Sequence, residues 1–383
     1  MDSTLQHWAE RIRAAAADHT PLRIRGGGSK DFYGQSLQGE LLDTRAHSGI
    51  VSYEPSELVV TVRAGTPLTE LEAALAEKGQ CLPFEPPHYS GNANESNATV
   101  GGMVAAGLSG PARASVGAVR DYVLGAVLLN GQGELLTFGG QVMKNVAGYD
   151  VSRLLAGSMG TLGLITEVSL KVLPLAPAEA TLVFEIDQSK ALAQLHRWGA
   201  QPLPLNASCW VHEHSDQGQR ELLCVRLRGA VAAVESACRK MTQDLNAERL
   251  DNAVANAAWQ TCRDMRLPFF TQPPASEPVP DMALWRLSVA QTAPVLDLPW
   301  PQLVEWHGGQ RWLWAPASDA PRLRAAAQAA GGHASLFLAA QVADKTVGVF
   351  APLASPLDRI HRNLKQQFDP SGIFNRGRMF SDF

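Results

Sequence analysis

Arg25-Gly26-Gly27-Gly28-Ser29-Lys30 and Thr99-Val100-Gly101-Gly102-Met103-Val104-Ala105-Ala106-Gly107 are the two stretches on which the reading of this 383-residue chain turns. Backbone N–H groups hold a pyrophosphate only where the chain comes within hydrogen-bond distance, and a Cβ blocks that approach. Consecutive glycines remove the obstacle. The first stretch follows the apolar run Pro21-Leu22-Arg23-Ile24, read as a short strand, so its glycines stand at a strand end and Arg25 adds charge for phosphates. The second opens on Thr99, a hydroxyl donor. Neither is followed by the acidic residue that a nicotinamide-dinucleotide fold requires. A triple glycine alone also reads as a tight turn; as a pair, the two stretches predict a flavin cradle.

A third segment runs from Lys144-Asn145-Val146-Ala147-Gly148-Tyr149-Asp150 through Gly157-Ser158-Met159-Gly160-Thr161-Leu162-Gly163-Leu164-Ile165-Thr166 to the β-like run Glu167-Val168-Ser169-Leu170-Lys171-Val172. In this order the three segments resemble the flavin-binding domain of the vanillyl-alcohol oxidase and p-cresol methylhydroxylase (PCMH-type) superfamily, specifically its D-2-hydroxyacid dehydrogenase branch. Three further pieces resemble the FAD-binding subunits of bacterial glycolate oxidases: Met143 to Asp150, Gly110-Pro111 to Arg120-Asp121, and Phe368-Asp369-Pro370 to Phe374-Asn375-Arg376-Gly377-Arg378-Met379. The resemblance covers essentially the whole chain. It implies an α+β fold with a two-lobed PCMH-type FAD-binding domain over 1–175, a ferredoxin-like α/β lid domain over 176–345, and a C-terminal segment, 346–383, whose helix returns to the flavin domain. It implies FAD held by Arg25, Gly26, Gly27, Gly28, Ser29, Lys30, Thr99, Gly101, Gly102, Ala106, Gly107, Ser109, Gly110, Gly160, Gly163, Ile165 and Asn375. It also implies oxidation of the 2-hydroxy acid glycolate to glyoxylate, beside a sister flavin subunit and an iron–sulfur subunit that takes the electrons.

Composition bounds the alternatives. A chain of 383 residues exceeds what one core organises, and an apolar fraction of 45% fills two. A net charge of −4 with no basic cluster argues against nucleic acid and acidic membrane surfaces. Residues Met1 to Thr4 lack the start of a signal peptide, and the longest apolar run, Tyr122 to Leu129, falls short of a bilayer span. The expectation is a cytoplasmic protein without a transmembrane segment, peripheral to the inner membrane only through partners. Cys81, Cys209, Cys224, Cys238 and Cys262 show no C-x-x-C spacing, so they read as reduced core residues and not as an iron–sulfur or zinc site.

Leu5, Trp8, Ile12 and Ala16 recur at helical spacing behind Ser3 and Thr4, predicting a capped helix over about 4–17. Short strands are expected at 21–25, 40–43, 49–53 and 57–63. Thr66 and Pro67 mark the start of a second helix, and Gly79 its end. Asn130-Gly131-Gln132-Gly133 predicts a hairpin within a more antiparallel lobe over 110–173. After Pro174-Leu175-Ala176-Pro177, strand 180–186, helix 189–199, strands 207–213 and 221–228 and helix 230–246 spell a βαββα unit. The proline-rich loop from Pro268 to Asp281 is long for a connector. A final helix is expected over 356–368.

Several residues depart from the family pattern. Covalent members attach FAD through a histidine after the first glycine run or a cysteine in the second loop. Ser29 and Ser96-Asn97-Ala98 stand there, so FAD is expected to bind non-covalently. His212-Glu213-His214 on a strand puts two imidazoles on one face, but no third ligand is evident and Ser215-Asp216-Gln217-Gly218 reads as a turn; a solvated strand end is the preferred reading and no metal site is expected. Gly331-Gly332-His333-Ala334 is all that corresponds to the lid's histidine-rich metal motif, and Met159 replaces the usual glutamate of the Gly-Ser-x-Gly-Thr-Leu-Gly run. Oxidising a 2-hydroxy acid needs a base near the α-carbon and a cation for the carboxylate. His333 and Lys144, with His307 behind them, are the catalytic candidates, each also readable as packing or a loop anchor. Trp300, Trp306, Trp312 and Trp314 read equally as a stacking surface or as core. Two readings therefore stand open: a subunit whose own flavin turns over, and an assembly or electron-relay subunit whose sister chain performs the chemistry.

Overall fold

The computed structural model describes residues 2–89, 97–140, 150–215, 218–271 and 282–381. They form two compact units. The first comprises Met1–Leu108, Ala118–Pro174 and Pro352–Phe383; the second comprises Ser109–Gly117 and Leu175–Ala351. The expected unbroken first domain over 1–175 is thus interrupted: the nine residues Ser109–Gly117 pack with the second unit.

In the first unit a helix over Ser3–Asp18 buries Leu5, Trp8, Ala9, Ile12 and Ala15. Its cap is Asp2, whose side chain accepts from the Thr4 N–H, and not Ser3 or Thr4 as expected. This face packs on Leu22, Leu42, Leu129, Leu164, Ile373 and Phe374. Strands β1 (Leu22–Arg25) and β2 (Glu40–Asp43) pair in parallel. The C-terminal tail extends this pair, with a parallel bridge from Leu22 to Phe374 and the Leu22 N–H donating to the Ile373 carbonyl at 2.7 Å.

Strands β3 (Ile50–Glu54), β4 (Val59–Arg63), β5 (Gln80–Cys81), β6 (Val123–Leu129), β7 (Leu135–Gly139), β8 (Leu164–Lys171) and β9 (Leu173–Pro174) complete the unit. One antiparallel sheet runs β3-β4-β8-β6-β7, and β5 pairs with β9. Strands of the 110–173 stretch therefore share a sheet with β3 and β4. Central β8 reads Leu-Ile-Thr-Glu-Val-Ser-Leu-Lys and is buried on both faces, as a strand covered by helices must be. Among those helices, Leu68–Ala76 buries Leu68, Leu71 and Leu75. Thr66 does not cap it: the buried hydroxyl accepts from the Gly49 N–H at 2.8 Å and donates to the Arg63 carbonyl at 2.8 Å, leaving Pro67 at the cap position.

The second unit opens with β10 (Ala178–Glu185), a helix over Gln188–Gly199, β11 (Leu205–Ser215), β12 (Gly218–Gly229), a helix over Val231–Asp244 and β13 (Glu248–Arg249). Spatial order β13-β10-β12-β11 places the fourth strand beside the first and the third beside the second, the ferredoxin-like arrangement. Strands β14 (Met282–Ser288), β15 (Gln302–Glu305), β16 (Gln310–Pro316), a helix over Ala320–Ala329 and β17 (His333–Leu338) repeat that order as β15-β16-β14-β17, without the first helix. The two second strands, β11 and β15, pair antiparallel and join the halves into an eight-stranded sheet. Where the helix is missing, Val289, Ala293 and Leu296 still fill the core. Carbonyls there gain side-chain donors instead of helical ones, Arg311 Nη2 reaching Ala293 at 3.1 Å and Gln302 Nε2 reaching Leu296 at 3.1 Å.

Candidate cofactor site

The end of β1 opens into a cavity of about 780 Å³, counting the part open to solvent. Its walls come from the first unit: residues 24–31, Leu37, Thr44, Ala64, Thr99, Gly101, Gly102, Ala105, Ala106, Met159, Gly160, Gly163, Leu164, Ile165, Asn375 and Arg378. The N–H groups of Gly26, Gly27, Gly28 and Ser29 donate to no acceptor among the described residues. A run of backbone donors left unspent by the protein is an anion nest. Among the described wall residues the charged side chains are Arg25, Lys30 and Arg378 against Asp31 alone. This excess of two positive charges matches the two negative charges of a dinucleotide's pyrophosphate.

The glycines are needed chiefly for packing the two loops on the protein itself. A Cβ on Gly26 would lie 2.2 Å from Thr99 Oγ1, and one on Gly27 would lie 1.3 Å from the Asn97 carbonyl oxygen. Gly28 takes φ +76°, and a Cβ there would meet the Arg25 guanidinium, which folds back to pair with Asp31 at 2.7 Å. In the second stretch a Cβ on Gly101 would sit 2.6 Å from the Ala64 methyl, whereas one on Gly102 would meet only Thr99 Oγ1, at 3.1 Å. The amides of that stretch are committed: Val100 to the Thr66 carbonyl, Gly101 to Ala64, Gly102 to Thr99 Oγ1 and Met103 to the Thr99 carbonyl. Thr99 is thus the cap of the helix Val100–Ala106 and its hydroxyl is spent there. The donors come from the first loop; the second supplies a wall.

The tail and the 158–163 turn supply another part of the wall. Asn375, at φ +40°, accepts from the Ile24 N–H at 2.8 Å and donates to the Met159 carbonyl at 2.6 Å. Met159 itself stands at φ +52° on the cavity wall. Beneath them lies a buried ion pair: Lys365 Nζ donates to Asp369 at 2.7 Å, to the Thr161 carbonyl at 2.8 Å and to the Phe374 carbonyl at 2.9 Å. Burial lowers the Lys365 pKa, opposed by Asp369.

Of the anticipated cofactor residues, Arg25 to Lys30, Thr99, Gly101, Gly102, Ala106, Gly160, Gly163, Ile165 and Asn375 converge on this cavity. Gly107 does not line it; at φ +66° it terminates the helix Val100–Ala106. Ser109 and Gly110 fall in the second unit, where the Gly110 carbonyl accepts from Trp306 Nε1 at 3.1 Å. Lys144 and Ser96 lie outside the described residues, as do 272–281 of the long loop. His333 opens β17, the last strand of its sheet, and is exposed. His212 contacts Gln219 at 3.1 Å and Glu221 at 3.5 Å, and the described residues contain no metal-holding cluster of His, Cys, Asp or Glu.

His307 bonds Ser115 Oγ at 2.9 Å, and burial drops its pKa to about 4, so it is neutral at pH 7. Its neighbour Trp306 lies under the Arg113 guanidinium, while Trp312 and Trp314 donate to Glu305 and the Phe269 carbonyl. These three indoles are core, which excludes them as a stacking surface; Trp300 packs at the margin of its cluster. Asp31, Thr44 and Arg378 were not anticipated. Arg378 belongs to the C-terminal stretch that carries the family resemblance, and an arginine three residues after Asn375 was the available signal.

Three comparisons bear on this geometry. Residues 3–139 match the FAD binding domain family. The chain is 46% identical over 373 residues to the glycolate oxidase subunit GlcE of Escherichia coli (strain K12), covering 97% of this chain and 96% of that protein. It is 30% identical over 187 residues to the glycolate oxidase subunit GlcD of Bacillus subtilis (strain 168), 48% of this chain and 38% of that one. In fold alone it is similar to 4-ethylphenol oxidase from Gulosibacter chungangensis, at a TM-score of 0.68 and 14% identity over 99% of this chain and 88% of the other. No helix among the described residues is long and apolar enough to cross a membrane. Near-complete coverage at such identity, together with the FAD-binding match on the part of the chain that carries the nest, means that this oxidoreductase chain belongs to the GlcE family of glycolate oxidase subunits, within the PCMH-type FAD-binding flavoproteins.

Proposed function

We propose that this chain is the FAD-binding subunit of a complex that oxidises glycolate to glyoxylate, working beside a sister flavin chain and an iron–sulfur subunit that receives the electrons. The supporting observation is the row of unspent amides at Gly26–Ser29 beside three cations and one carboxylate, which suits the pyrophosphate of FAD. Bound there, FAD would supply a two-electron acceptor for the hydride on a 2-hydroxy acid's α-carbon. Gly26 to Ser29 would hold the phosphates, while Ala105, Ala106, Leu164 and Ile165 would exclude water along the wall. The cavity wall carries no histidine, cysteine or tyrosine among the described residues, which supports non-covalent attachment.

A second reading gives the chemistry to the sister chain. What favours it is the wall's lack of an available base: the sole carboxylate among the described wall residues, Asp31, is tied to Arg25, and Met159 stands on the wall in place of an acid. Anaerobic mixing of the purified, FAD-loaded chain with glycolate separates the readings. Bleaching of its flavin assigns turnover to this chain. An unbleached flavin, in a chain whose assembled complex still reduces dye with glycolate, assigns it to the sister.

A further inference from the structure

The cavity's phosphate end is held from behind by a residue from the far end of the sequence. Arg378 is only 5% exposed. Its Nη2 donates to the carbonyls of Lys30 at 3.2 Å and Asp31 at 3.0 Å, and its Nη1 donates to the carbonyl of Gln35. Its own carbonyl accepts from the Gln35 N–H at 2.9 Å. The approach is possible because residue 34 is glycine at φ +87°, where a Cβ would lie 2.6 Å from Met159 Cε and 3.0 Å from the Arg378 carbonyl oxygen. Among the described residues no carboxylate pairs with Arg378 within ion-pair distance; Arg25 takes the adjacent Asp31. Burial lowers the Arg378 pKa to about 10, which still leaves it cationic at neutral pH.

We propose that Arg378 is a positioning residue for the cofactor's phosphates. Its guanidinium gathers the carbonyls of Lys30, Asp31 and Gln35, fixes the loop that carries the unspent amides of Gly26 to Ser29, and lends that end of the cavity its charge. A planar fork is suited to several carbonyls at once; an ammonium on a flexible stem is not. Three carbonyl dipoles turned toward one buried cation also keep the loop from collapsing onto its own donors. The inference rests on the FAD reading of the cavity and deepens it by naming which part of FAD depends on Arg378.

The test is binding to the full-length apo-protein, as wild type, R378K and R378M, with FAD, ADP and riboflavin as separate probes. R378M is expected to bind FAD and ADP at least about tenfold more weakly, the scale of a lost charge-assisted contact, and riboflavin within about twofold of wild type. Its FAD affinity should also depend less steeply on salt, because a cation has left the site. R378K should fall between the two. A merely structural role would lower the melting temperature but weaken all three probes alike and leave the salt slope unchanged. Such uniform weakening, or R378M binding FAD as wild type does, overturns the proposal. Should R378M not fold, R378K decides, and wild-type FAD affinity in R378K overturns it. A wild-type protein that binds neither FAD nor ADP refutes the reading of the cavity itself.

Discussion

At the scale of single residues, the two adjacent glycines of the second stretch have different tasks. Sequence shows that they lack a Cβ, but not which neighbour needs that space. Gly101 presses on Ala64 inside the core, while only the Thr99 hydroxyl stands near Gly102. G101V should destabilise the fold by the cost of overpacking, about 1–3 kcal/mol, read as a lowered melting temperature. G102V should keep the fold and lose FAD, read as the flavin-to-protein ratio after gel filtration. Full flavin occupancy in a folded G102V would remove the second stretch from the site. With no histidine, cysteine or tyrosine on the described wall, acid precipitation should release all flavin to the supernatant; fluorescence remaining with the pellet would reveal a covalent link. His307 gives a pH signature. Its pKa falls from 6.5 to about 4 on folding, so between these values the unfolded chain binds more protons. Stability is full above pH 6.5 and declines toward pH 4, by up to about 1.4 kcal/mol per pH unit for one proton. H307Q should flatten the melting-temperature profile over that window, and an unchanged slope would refute this assignment.

Elements were legible where pattern and burial coincide. The alternating and apolar runs predicted β6, β7, β10 and β12 because those strands form hairpins and cores from local sequence, whereas the shared sheet of β3-β4-β8-β6-β7 depends on long-range pairing that no local pattern encodes. The last helix, Leu357–Phe368, shows the limit more sharply. It carries Asp358 and Arg362 four residues apart, and Lys365 stands four before Asp369. In sequence these are equivalent pairs. In the fold the first is exposed, and the second is buried with all three ammonium donors used. An exposed pair is worth about 0–1 kcal/mol, but removing one partner of a buried pair strands a charge at about 3–5 kcal/mol. D369N should therefore destabilise by several kcal/mol in denaturant titration and loosen the tail, while D358N should change stability by less than about 0.5 kcal/mol. Equal effects would mean that the buried pair contributes nothing particular.

At the scale of the molecule, the first unit is built from three separated stretches, and only the third brings Asn375 and Arg378 to the cavity, with the Lys365–Asp369 pair beneath them. A resemblance spanning the chain signalled that the end returns, but it did not show that Ser109–Gly117 leaves for the other unit, because a nine-residue excursion has no compositional mark. Both facts bear on what a fragment can do. Residues 1–175 alone lack the tail's bridge to β1, the asparagine that joins Ile24 to Met159 and the arginine behind the Gly26–Ser29 loop. That fragment should fail to retain FAD even where it stays soluble. Fusing 346–383 to residue 175 through a flexible linker supplies those contacts and should restore FAD retention. It still omits Trp306 and His307, the partners of Gly110 and Ser115, so protease cleavage should concentrate within 109–117. Gel filtration with flavin fluorescence, followed by mass mapping of a brief digest, reads both outcomes. FAD held by 1–175 at the affinity of the full chain would show that the tail is dispensable, and that neither Asn375 nor Arg378 shapes the cofactor site.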